Sequence, residues 1–382
     1  MDSAGPSRSF ATRAVQAATS APPCNHRAVA APIVLSTTFE RDDEGAYSGG
    51  FEYAREDNPN RAALEVALAA LEGGTECAAF ASGMAATGAL FHALRPRDHV
   101  VIARDTYWGV RVMVEELFAP WGLEATFAHG TDADAVAAAV RPQTRLIFIE
   151  TPANPLMGIT DIAAVARIAH DAGALLACDN TLPTPAFQQP IACGADIVVH
   201  ATTKALAGHH DAMGGALVAA RADEYWARVR MQQKVGGAVP SPFAAWLTLR
   251  GIASLVPRVR WHDASALAIA RFLATQPAVS DVLHPGLETH PQFALAARQM
   301  TGVGGLFSFR VAGGRDAALD VAARLRLFHR ATSFGGVESL VEHRASVEGP
   351  KSTTPDDLLR LAIGLEDPAD LIADLESALA AS

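Results

Sequence analysis

Six short apolar runs are the feature that most constrains how this chain can fold. They are CAAFAS (77–82), HVVIA (99–103), RLIFIE (145–150), ALLACD (174–179), DIVVHA (196–201) and GALVAA (215–220). None of them alternates apolar and polar residues, which is typical of strands buried on both faces of a parallel sheet. The segments between them can hold crossover helices, such as DIAAVARIAHDAG (161–173), which Gly173 would end. The pattern predicts an α/β fold with an open, mostly parallel central sheet and helices on both faces.

The C-terminal part of the chain has a different pattern. A long helical stretch, SPFAAWLTLRGIASLVPRVRWHDASALAIARFLATQP, is interrupted at Gly251 and Pro257. It precedes a strand-like segment, GGLFSFRVAG (304–313), and a closing helix, DLIADLESALAA. This order predicts a smaller α+β domain at the C-terminus. The domains we expect are an N-terminal arm that contacts a neighbouring subunit, a large domain and the C-terminal α+β domain, over residues 1–50, 51–244 and 245–382.

Composition and charge limit the class of partner. The formal net charge is −10 and the basic residues are dispersed, so we expect no nucleic acid and no anionic membrane as partner. The cysteines lack C-x-x-C spacing, which argues against a disulfide framework or a zinc knuckle and fits a reducing compartment. No segment approaches about 18 uncharged apolar residues, and the N-terminal residues lack the apolar core of a signal peptide. We expect a cytoplasmic protein that binds a small molecule.

Small, aromatic and charged residues follow the predicted strands where each strand ends. In open α/β sheets this edge is where ligands bind. The turn SGMAATG (82–88) would aim the free N–H groups of a helix start at an anion, most simply a phosphate. Tyr107 follows the run 99–103, Asp179 ends the run 174–179, and Lys204 follows the run 196–201. Taken singly, Asp179 could cap a helix and Tyr107 could belong to the core.

Together these residues form the set that pyridoxal 5'-phosphate requires. A lysine amine forms a Schiff base with this cofactor, and an aspartate keeps its pyridine nitrogen protonated. An aromatic side chain stacks on the ring, and a helix start binds the phosphate. The combination therefore predicts pyridoxal 5'-phosphate as the cofactor. We expect no metal, because His209 and His210 diverge on a turn and have no second pair of ligands at useful spacing.

Several longer stretches resemble the Cys/Met-metabolism, or transsulfuration, family of fold type I pyridoxal-phosphate enzymes, which are aspartate aminotransferase-like. The matching stretches are EYAREDNPNRAALEVALAALEGG, AAFASGMAATGAL, FIETPANPLMGITDI, CDNTLPTPAFQQPIACGADIVVHATTK, GHHDAMGGALV, TSFGGVESLVEHRAS and LLRLAIGLEDPADLIADL. They run from about residue 30 to the end of the sequence. The resemblance implies an enzyme with an amino-acid substrate, a homodimer as its minimal active unit, and a homotetramer as the expected assembly.

The resemblance also implies a role for each matching residue. Lys204 and Tyr107 are the expected catalytic residues, and Asp179 is the expected partner of the pyridinium nitrogen. Tyr53 and Arg55 are expected to reach the phosphate of a neighbouring subunit. The expected cofactor-binding residues are Lys204, Asp179, Gly83, Met84, Tyr107, Tyr53, Arg55, Thr203 and Asn154. The expected substrate-binding residues are Arg360, Ser339, Asn154 and Glu338. Arg360 would bind the α-carboxylate through two parallel hydrogen bonds.

Two stretches depart from the family pattern. Ala201 stands where the family usually has a phosphate-binding serine, so Thr202 or Thr203 must substitute for it or one hydrogen bond is lost. EHRASVEGP stands where many members have a stretch like HPASMTH. This difference would place Arg344 and Glu348 near the mouth of the substrate site.

The leading functional hypothesis is γ-replacement on an O-acyl-homoserine by a thiol. Glu338 resembles an acidic residue of γ-acting members, which favours this hypothesis, but an acid at this position could equally cap a turn. The alternatives are elimination that breaks a C–S bond at the γ or β position, and a pyridoxal-phosphate-binding protein without catalysis. The last of these would keep Lys204 but would need neither Tyr107 nor Arg360. A dinucleotide oxidoreductase is disfavoured because no G-x-G-x-x-G follows a predicted strand.

Overall fold

A computed structural model of the chain describes residues 8–19, 29–349 and 353–380. The backbone divides into two compact units. The first unit comprises the chain up to Arg95 together with Asp196–Val256, and the second comprises Pro96–Ala195 together with the chain from Pro257 onward. The domain boundaries expected from the sequence follow chain order, whereas these units interleave. Those boundaries therefore stay a prediction.

The strands and helices of the described residues are numbered here in chain order. The strands are β1 (Glu76–Phe80), β2 (His99–Ala103), β3 (Glu124–Ala128), β4 (Thr144–Glu150), β5 (Leu175–Asp179), β6 (Ile197–His200), β7 (Gly215–Ala219), β8 (Val279–Leu283), β9 (Leu306–Val311), β10 (His329–Arg330), β11 (Leu340–His343) and β12 (Leu358–Ala362). The helices are α1 (Phe10–Thr19), α2 (Pro59–Glu72), α3 (Gly83–His92), α4 (Trp108–Met113), α5 (Ala119–Trp121), α6 (Ala133–Ala138), α7 (Ile162–Asp171), α8 (Thr184–Phe187), α9 (Glu224–Gly236), α10 (Pro242–Ala253), α11 (Leu255–Leu273), α12 (Phe293–Gln299), α13 (Gly314–Arg324), α14 (Arg344–Glu348) and α15 (Pro368–Leu379). A π-helical turn (Val114–Phe118) joins α4 to α5, and a 3-10 turn (Pro190–Cys193) precedes β6.

In the first unit, β7 lies between β1 and β6 and is antiparallel to both. Val218 of β7 is opposite Cys77 on one side and Val198 on the other. The helix that follows β1 begins at a side-chain cap, because the Ser82 hydroxyl accepts a hydrogen bond from the Ala85 N–H at 3.0 Å. The first unit therefore places a capped helix start directly after a buried strand.

In the second unit, β2, β3, β4 and β5 form a parallel array in which β2 pairs with β3 and β4, and β4 pairs with β5. The crossover helix α7 begins where the Asp161 carboxylate accepts from the Ala164 N–H at 2.9 Å, and Gly173 follows it at a φ of 69°. Ile147 of β4, Leu176 of β5 and Val165 of α7 are buried in one cluster. The prediction of parallel strands joined by helical crossovers is thereby confirmed.

The second unit also contains a five-stranded sheet in the order β10, β11, β12, β9 and β8. Its strands pair antiparallel except for β10 with β11. Side chains of the sheet, including Phe307 and Leu359, share a buried core with Ile269 of α11, Val321 of α13 and Leu371 of α15. Here the α+β pattern predicted for the C-terminal part of the chain is observed.

Some features differ from the sequence prediction. The break in the helical stretch after residue 241 falls at Ser254, whereas Gly251 lies inside α10 and Pro257 lies in the first turn of α11. Proline is tolerated there because the first N–H groups of a helix have no partner within it. A Cβ on Gly251 would lie 2.2 Å from the Ala207 carbonyl oxygen, so this glycine permits a close approach rather than a break. In the described part of the chain, no helix could span a bilayer.

Candidate active site

Lys204 lies in a tightly bonded turn that follows β6. Its N–H donates to the Ala201 carbonyl oxygen at 3.1 Å, and its carbonyl oxygen accepts from the Gly208 N–H at 2.8 Å. The Thr203 hydroxyl donates to the Gly214 carbonyl oxygen at 3.1 Å and accepts from the Gly214 N–H at 3.0 Å. These bonds fix the backbone that carries the lysine.

Beside this turn lies the start of α3, where the sequence predicts an anion site. A Cβ on Gly83 would lie 2.8 Å from the Ala201 Cβ, and a Cβ on Gly215 would lie 2.2 Å from the Ser82 carbonyl oxygen. Only glycine allows the helix start to come this close to the strand ends. The N–H groups of Gly83 and Met84 lie in the first turn of a ten-residue helix, whose positive end favours a phosphate.

Of the two threonines proposed to replace the missing serine, Thr202 is buried close to Gly214 and Thr203 is hydrogen-bonded to Gly214. Thr202 is buried, and its Oγ1 would lie 2.4 Å from a Cβ on Gly214. Thr203 shares its hydroxyl with Gly214, as described above. A phosphate bond from Thr203 would compete with this contact, so its role in cofactor binding stays a prediction.

Tyr53 and Arg55 lie together on the surface of the first unit. The Tyr53 side chain is 46 % exposed, and the Arg55 guanidinium lies 5.7 Å from the centre of its ring. Arg55 also donates to the Lys234 carbonyl oxygen and lies 3.7 Å from the Glu56 carboxylate. Both side chains are accessible to a second chain, and their action across a subunit boundary stays a prediction.

Asp179 ends β5 and is held by the residue two positions later. Its Oδ1 accepts from the Thr181 N–H at 2.9 Å and from the Thr181 hydroxyl at 2.5 Å. Glu150 ends the neighbouring β4 and is its register partner. Desolvation and the charge of Asp179 raise the pKa of Glu150 to about 8. Both causes favour the neutral form of Glu150, and the position of Asp179 at the neighbouring strand end suits the predicted partner of a pyridinium nitrogen.

Tyr107 follows β2 and precedes the first residue of α4. Its N–H donates to Oε2 of Glu150 at 2.6 Å, and the hydroxyl of Thr106 donates to the same oxygen at 3.1 Å. The Tyr107 side chain is 42 % exposed, so its ring is accessible to a ligand. Sequence reasoning missed Glu150, although a charged residue that ends an otherwise apolar run was a usable signal.

Arg360 lies on β12 and is 3 % exposed. Its Nη1 donates to Oδ1 of Asn154 at 3.2 Å, and its Nη2 donates to the Ser333 carbonyl oxygen at 3.2 Å. Glu342 on β11 lies 2.5 Å from Nη2. Burial lowers the pKa of Arg360 to about 10, which still leaves it cationic at neutral pH. The structure thus brings together Asn154 and Arg360, two of the residues predicted to bind the substrate carboxylate.

Arg344 and Glu348 extend this charged cluster. Arg344 lies 3.2 Å from Glu342 and 2.9 Å from Glu348, and the Thr354 hydroxyl donates to Glu348 at 2.8 Å. Glu348, Thr354 and Asn154 line a cavity of about 60 Å³. The residues that depart from the family pattern therefore lie beside the residues predicted to bind substrate.

Ser339 and Glu338 precede β11. The Ser339 hydroxyl donates to Glu366 at 2.7 Å and accepts from the Gly364 N–H at 2.9 Å. A second bond to Glu366 comes from the Ser339 N–H at 2.8 Å. Glu338 is exposed. The Ser339 hydroxyl is thus engaged within the protein, and substrate contacts of Ser339 and Glu338 stay predictions.

A family profile described as "Cys/Met metabolism PLP-dependent enzyme" matches residues 11–380. The chain belongs to this family. The sequence-based assignment to the transsulfuration family is therefore confirmed, and with it the prediction of a pyridoxal-phosphate-dependent enzyme.

Named relatives and solved structures in the Cys/Met-metabolism family agree with this assignment. The chain is 50 % identical over 375 residues to a cystathionine γ-synthase of Mycobacterium tuberculosis, covering 97 % of this chain and 96 % of the relative. It is 41 % identical over 382 residues to a cystathionine γ-lyase of Mus musculus, covering 98 % and 96 %. A solved cystathionine γ-synthase from Xanthomonas oryzae pv. oryzae, in complex with aminoacrylate and cysteine, has a TM-score of 0.93 at 39 % identity over 98 % of each chain. The metB protein of Corynebacterium glutamicum has a TM-score of 0.95 at 42 % identity over 98 % of each chain. These likenesses confirm the predicted fold type I architecture.

The residues of this family member fit the cofactor. The start of α3 is kept open by Gly83 and Gly215, as a phosphate site at a helix start requires. Asp179 is held by two hydrogen bonds from Thr181 and lies beside Glu150 at the end of the neighbouring strand. The helix start in the first unit suits a phosphate, and Asp179 in the second unit suits a protonated ring nitrogen; both roles stay predictions.

Proposed function

We propose that this enzyme catalyses γ-replacement, in which a thiol displaces the acyloxy group of an O-acyl-homoserine, as the name cystathionine γ-synthase implies. The observation that carries the proposal is the identity of 50 % over 97 % of the chain to a cystathionine γ-synthase. The corresponding identity to a cystathionine γ-lyase is 41 % over 98 %. γ-Elimination is the second candidate, because the γ-lyase is also similar over nearly the whole chain.

Arg360 is the proposed site of the substrate α-carboxylate. A planar guanidinium can present two parallel N–H donors to a carboxylate, which a lysine cannot do. Asn154 and the Ser333 carbonyl oxygen hold this guanidinium from two sides, so little side-chain entropy remains to be lost on binding. This support favours an amino-acid substrate with a free α-carboxylate.

Lys204 is the proposed base that moves the substrate protons. Pyridoxal 5'-phosphate, when bound, supplies an electron sink that makes the proton on the substrate Cα acidic. γ-Replacement needs a second proton to leave Cβ before the γ-group departs, so one amine must reach both positions. The flexible lysine side chain on its fixed turn suits this movement. Tyr107 would accept a proton from the incoming amino group or donate one to the leaving group.

Subunit assembly is part of the proposal. Tyr53 and Arg55 are exposed, and they would complete the phosphate site of a neighbouring chain in a homodimer, within a homotetramer. Leu35, Val235 and Phe243, which belong to the same unit, are 69 %, 71 % and 51 % exposed, and the proposed interface would cover such apolar side chains. Part of the predicted arm over residues 1–50 lies outside the described residues. Cytoplasmic localisation stays a prediction from the sequence.

Product identification tests the proposal. The purified enzyme is given O-acyl-homoserine with cysteine in one reaction and cystathionine alone in another. Formation of cystathionine in the first reaction supports γ-replacement, whereas 2-oxobutyrate as the main product of the second supports γ-elimination. Pyruvate with homocysteine as the dominant products would overturn the γ assignment and indicate β-elimination.

A further inference from the structure

Glu150 connects two residues of the site that the sequence places in separate segments. It is the last residue of β4, in register with Asp179, the last residue of β5. Its Oε2 accepts from the Tyr107 N–H at 2.6 Å and from the Thr106 hydroxyl at 3.1 Å. One carboxyl group thus bonds to the turn that carries the ring-stacking tyrosine while standing beside the aspartate expected to pair with the cofactor.

The surroundings of Glu150 favour its neutral form. Asp179, on the adjacent strand, is the charged group that acts on it most strongly. The turn after β2 contributes the neutral donors of Thr106 and Tyr107, and the segment after β4 contributes the Asn154 N–H. Desolvation outweighs these donors, and the pKa of Glu150 rises to about 8.

We propose that Glu150 is a positioning residue for the cofactor site, which holds the Thr106–Tyr107 turn against the strand end that carries Asp179. Without these two hydrogen bonds the turn after β2 loses its attachment to β4, and Tyr107 loses its fixed place relative to Asp179. When Glu150 ionises, two negative charges stand at neighbouring strand ends and repel each other. The arrangement therefore holds best when Glu150 is protonated.

Two substitutions separate the hydrogen bonds of Glu150 from its charge. Glu150→Gln keeps an oxygen that can accept both bonds and is neutral at every pH, whereas Glu150→Ala removes the acceptor. Glu124→Ala is the matched control, because Glu124 begins β3 in the same array and its carboxylate forms an exposed ion pair with Arg141. The measurements on the holoenzyme are kcat, the visible circular dichroism of the bound cofactor, and far-ultraviolet circular dichroism as a check of the fold.

A fourth measurement is the infrared difference spectrum between wild type and Glu150→Gln. It is recorded at about pH 6 and about pH 10, two units either side of the expected ionisation. A protonated carboxyl band should be present in wild type at the lower pH and absent at the higher. The visible dichroism of wild type should weaken as the pH passes about 8, and that of Glu150→Gln should weaken less.

Glu150→Ala should lower kcat about 100-fold and weaken the visible dichroism with an unchanged far-ultraviolet spectrum, because a small displacement of a site residue can cost that much. The kcat of Glu150→Gln should stay within about threefold of wild type near pH 7.

Wild-type kcat and wild-type dichroism in Glu150→Ala would overturn the proposal. A Glu150→Gln variant that is as impaired as Glu150→Ala would also overturn it. If Glu150→Ala does not fold, the proposal is tested by the infrared band and by the pH dependence of the visible dichroism in wild type and Glu150→Gln. Absence of both effects would overturn the proposal. The spectroscopic outcomes do not depend on which reaction the enzyme catalyses.

Discussion

Glu342 and Arg360 face each other across β11 and β12, with Oε2 of Glu342 2.5 Å from Nη2 of Arg360. Arg344 lies 3.2 Å from the same carboxylate oxygen. Glu342 is thus shared by two arginines, and Arg344 also pairs with Glu348 at 2.9 Å, so two acids and two arginines form one buried cluster. These contacts hold the Arg360 guanidinium in a fixed place, from which its planar N–H donors can form a bidentate pair with a carboxylate.

Arg360→Lys should weaken substrate binding by about 2 to 3 kcal/mol, because lysine cannot form the bidentate pair. That loss corresponds to a decrease in kcat/KM of about 30- to 150-fold. Steady-state kinetics with the preferred substrate measures it. The control is Arg310→Lys on the adjacent β9, whose ion pair with Asp357 is partly exposed and contributes little. An equal loss in both variants would argue against the carboxylate-binding role.

Arg344→Met should destabilise the protein by about 3 to 5 kcal/mol, because it leaves Glu342 and Glu348 without their shared partner in a buried cluster. The double variant Arg344→Met with Glu348→Leu should recover part of that loss, since Glu348, the acid that loses its arginine while Glu342 keeps Arg360, is then gone. Denaturant unfolding of the wild type, both single variants and the double variant measures the coupling. Strictly additive effects would contradict a shared ion pair.

Lys204→Ala should reduce turnover by at least about 10²- to 10⁴-fold with the fold intact, because the proposed base is removed. Arg55→Ala should also be nearly inactive if Arg55 serves a neighbouring subunit. When the two variants are mixed and exchange subunits, a heterodimer contains one site with both residues intact. Partial recovery of activity is therefore expected, and exchange is verified separately by mass. No recovery after demonstrated exchange would place Arg55 in the site of its own chain.

Stability at acidic pH should depend on His262. Burial lowers its pKa from 6.5 to about 4, with the charge of Arg258 acting in the same direction. The unfolded chain binds this proton below about pH 6.5 and the folded chain does not until about pH 4. The contribution of His262 to stability is therefore complete above pH 6.5 and is lost as the pH falls towards 4.

Urea unfolding between about pH 4.5 and 7 tests this dependence in wild type and His262→Gln. In His262→Gln the free energy of unfolding should depend less steeply on pH. The slope should fall by up to about 1.4 kcal/mol per pH unit, which is the contribution of one proton. His329→Gln, at an exposed position on β10, is the control and should leave the slope unchanged. An unaltered slope in His262→Gln would show that this histidine does not contribute.

The strands predicted from apolar runs are those whose side chains are buried on both faces. All six runs correspond to strands of the structure, from β1 to β7 without β3. β3 was missed because Glu124 and Thr126 interrupt its apolar character at partly exposed positions. β11 and β12 were missed because Glu342 and Arg360 place charges inside short buried strands. Their pairing across the sheet is a non-local contact that a local pattern does not reveal.

Local sequence determined which segments form buried strands, where helices begin and end, and which chemical groups follow each strand. Ser82 and Asp161 cap helices, and Asp179 ends a strand. Each of these roles depends on neighbours a few positions away in the chain, so the residue types suffice to predict it. Tertiary structure alone decided which of those groups meet. The register of β4 with β5 sets Glu150 beside Asp179, and the fold brings Asn154 to Arg360, 206 residues away. Such contacts determine the charge of Glu150 and the orientation of Arg360, because desolvation and Coulomb interactions depend on distance in space rather than along the chain.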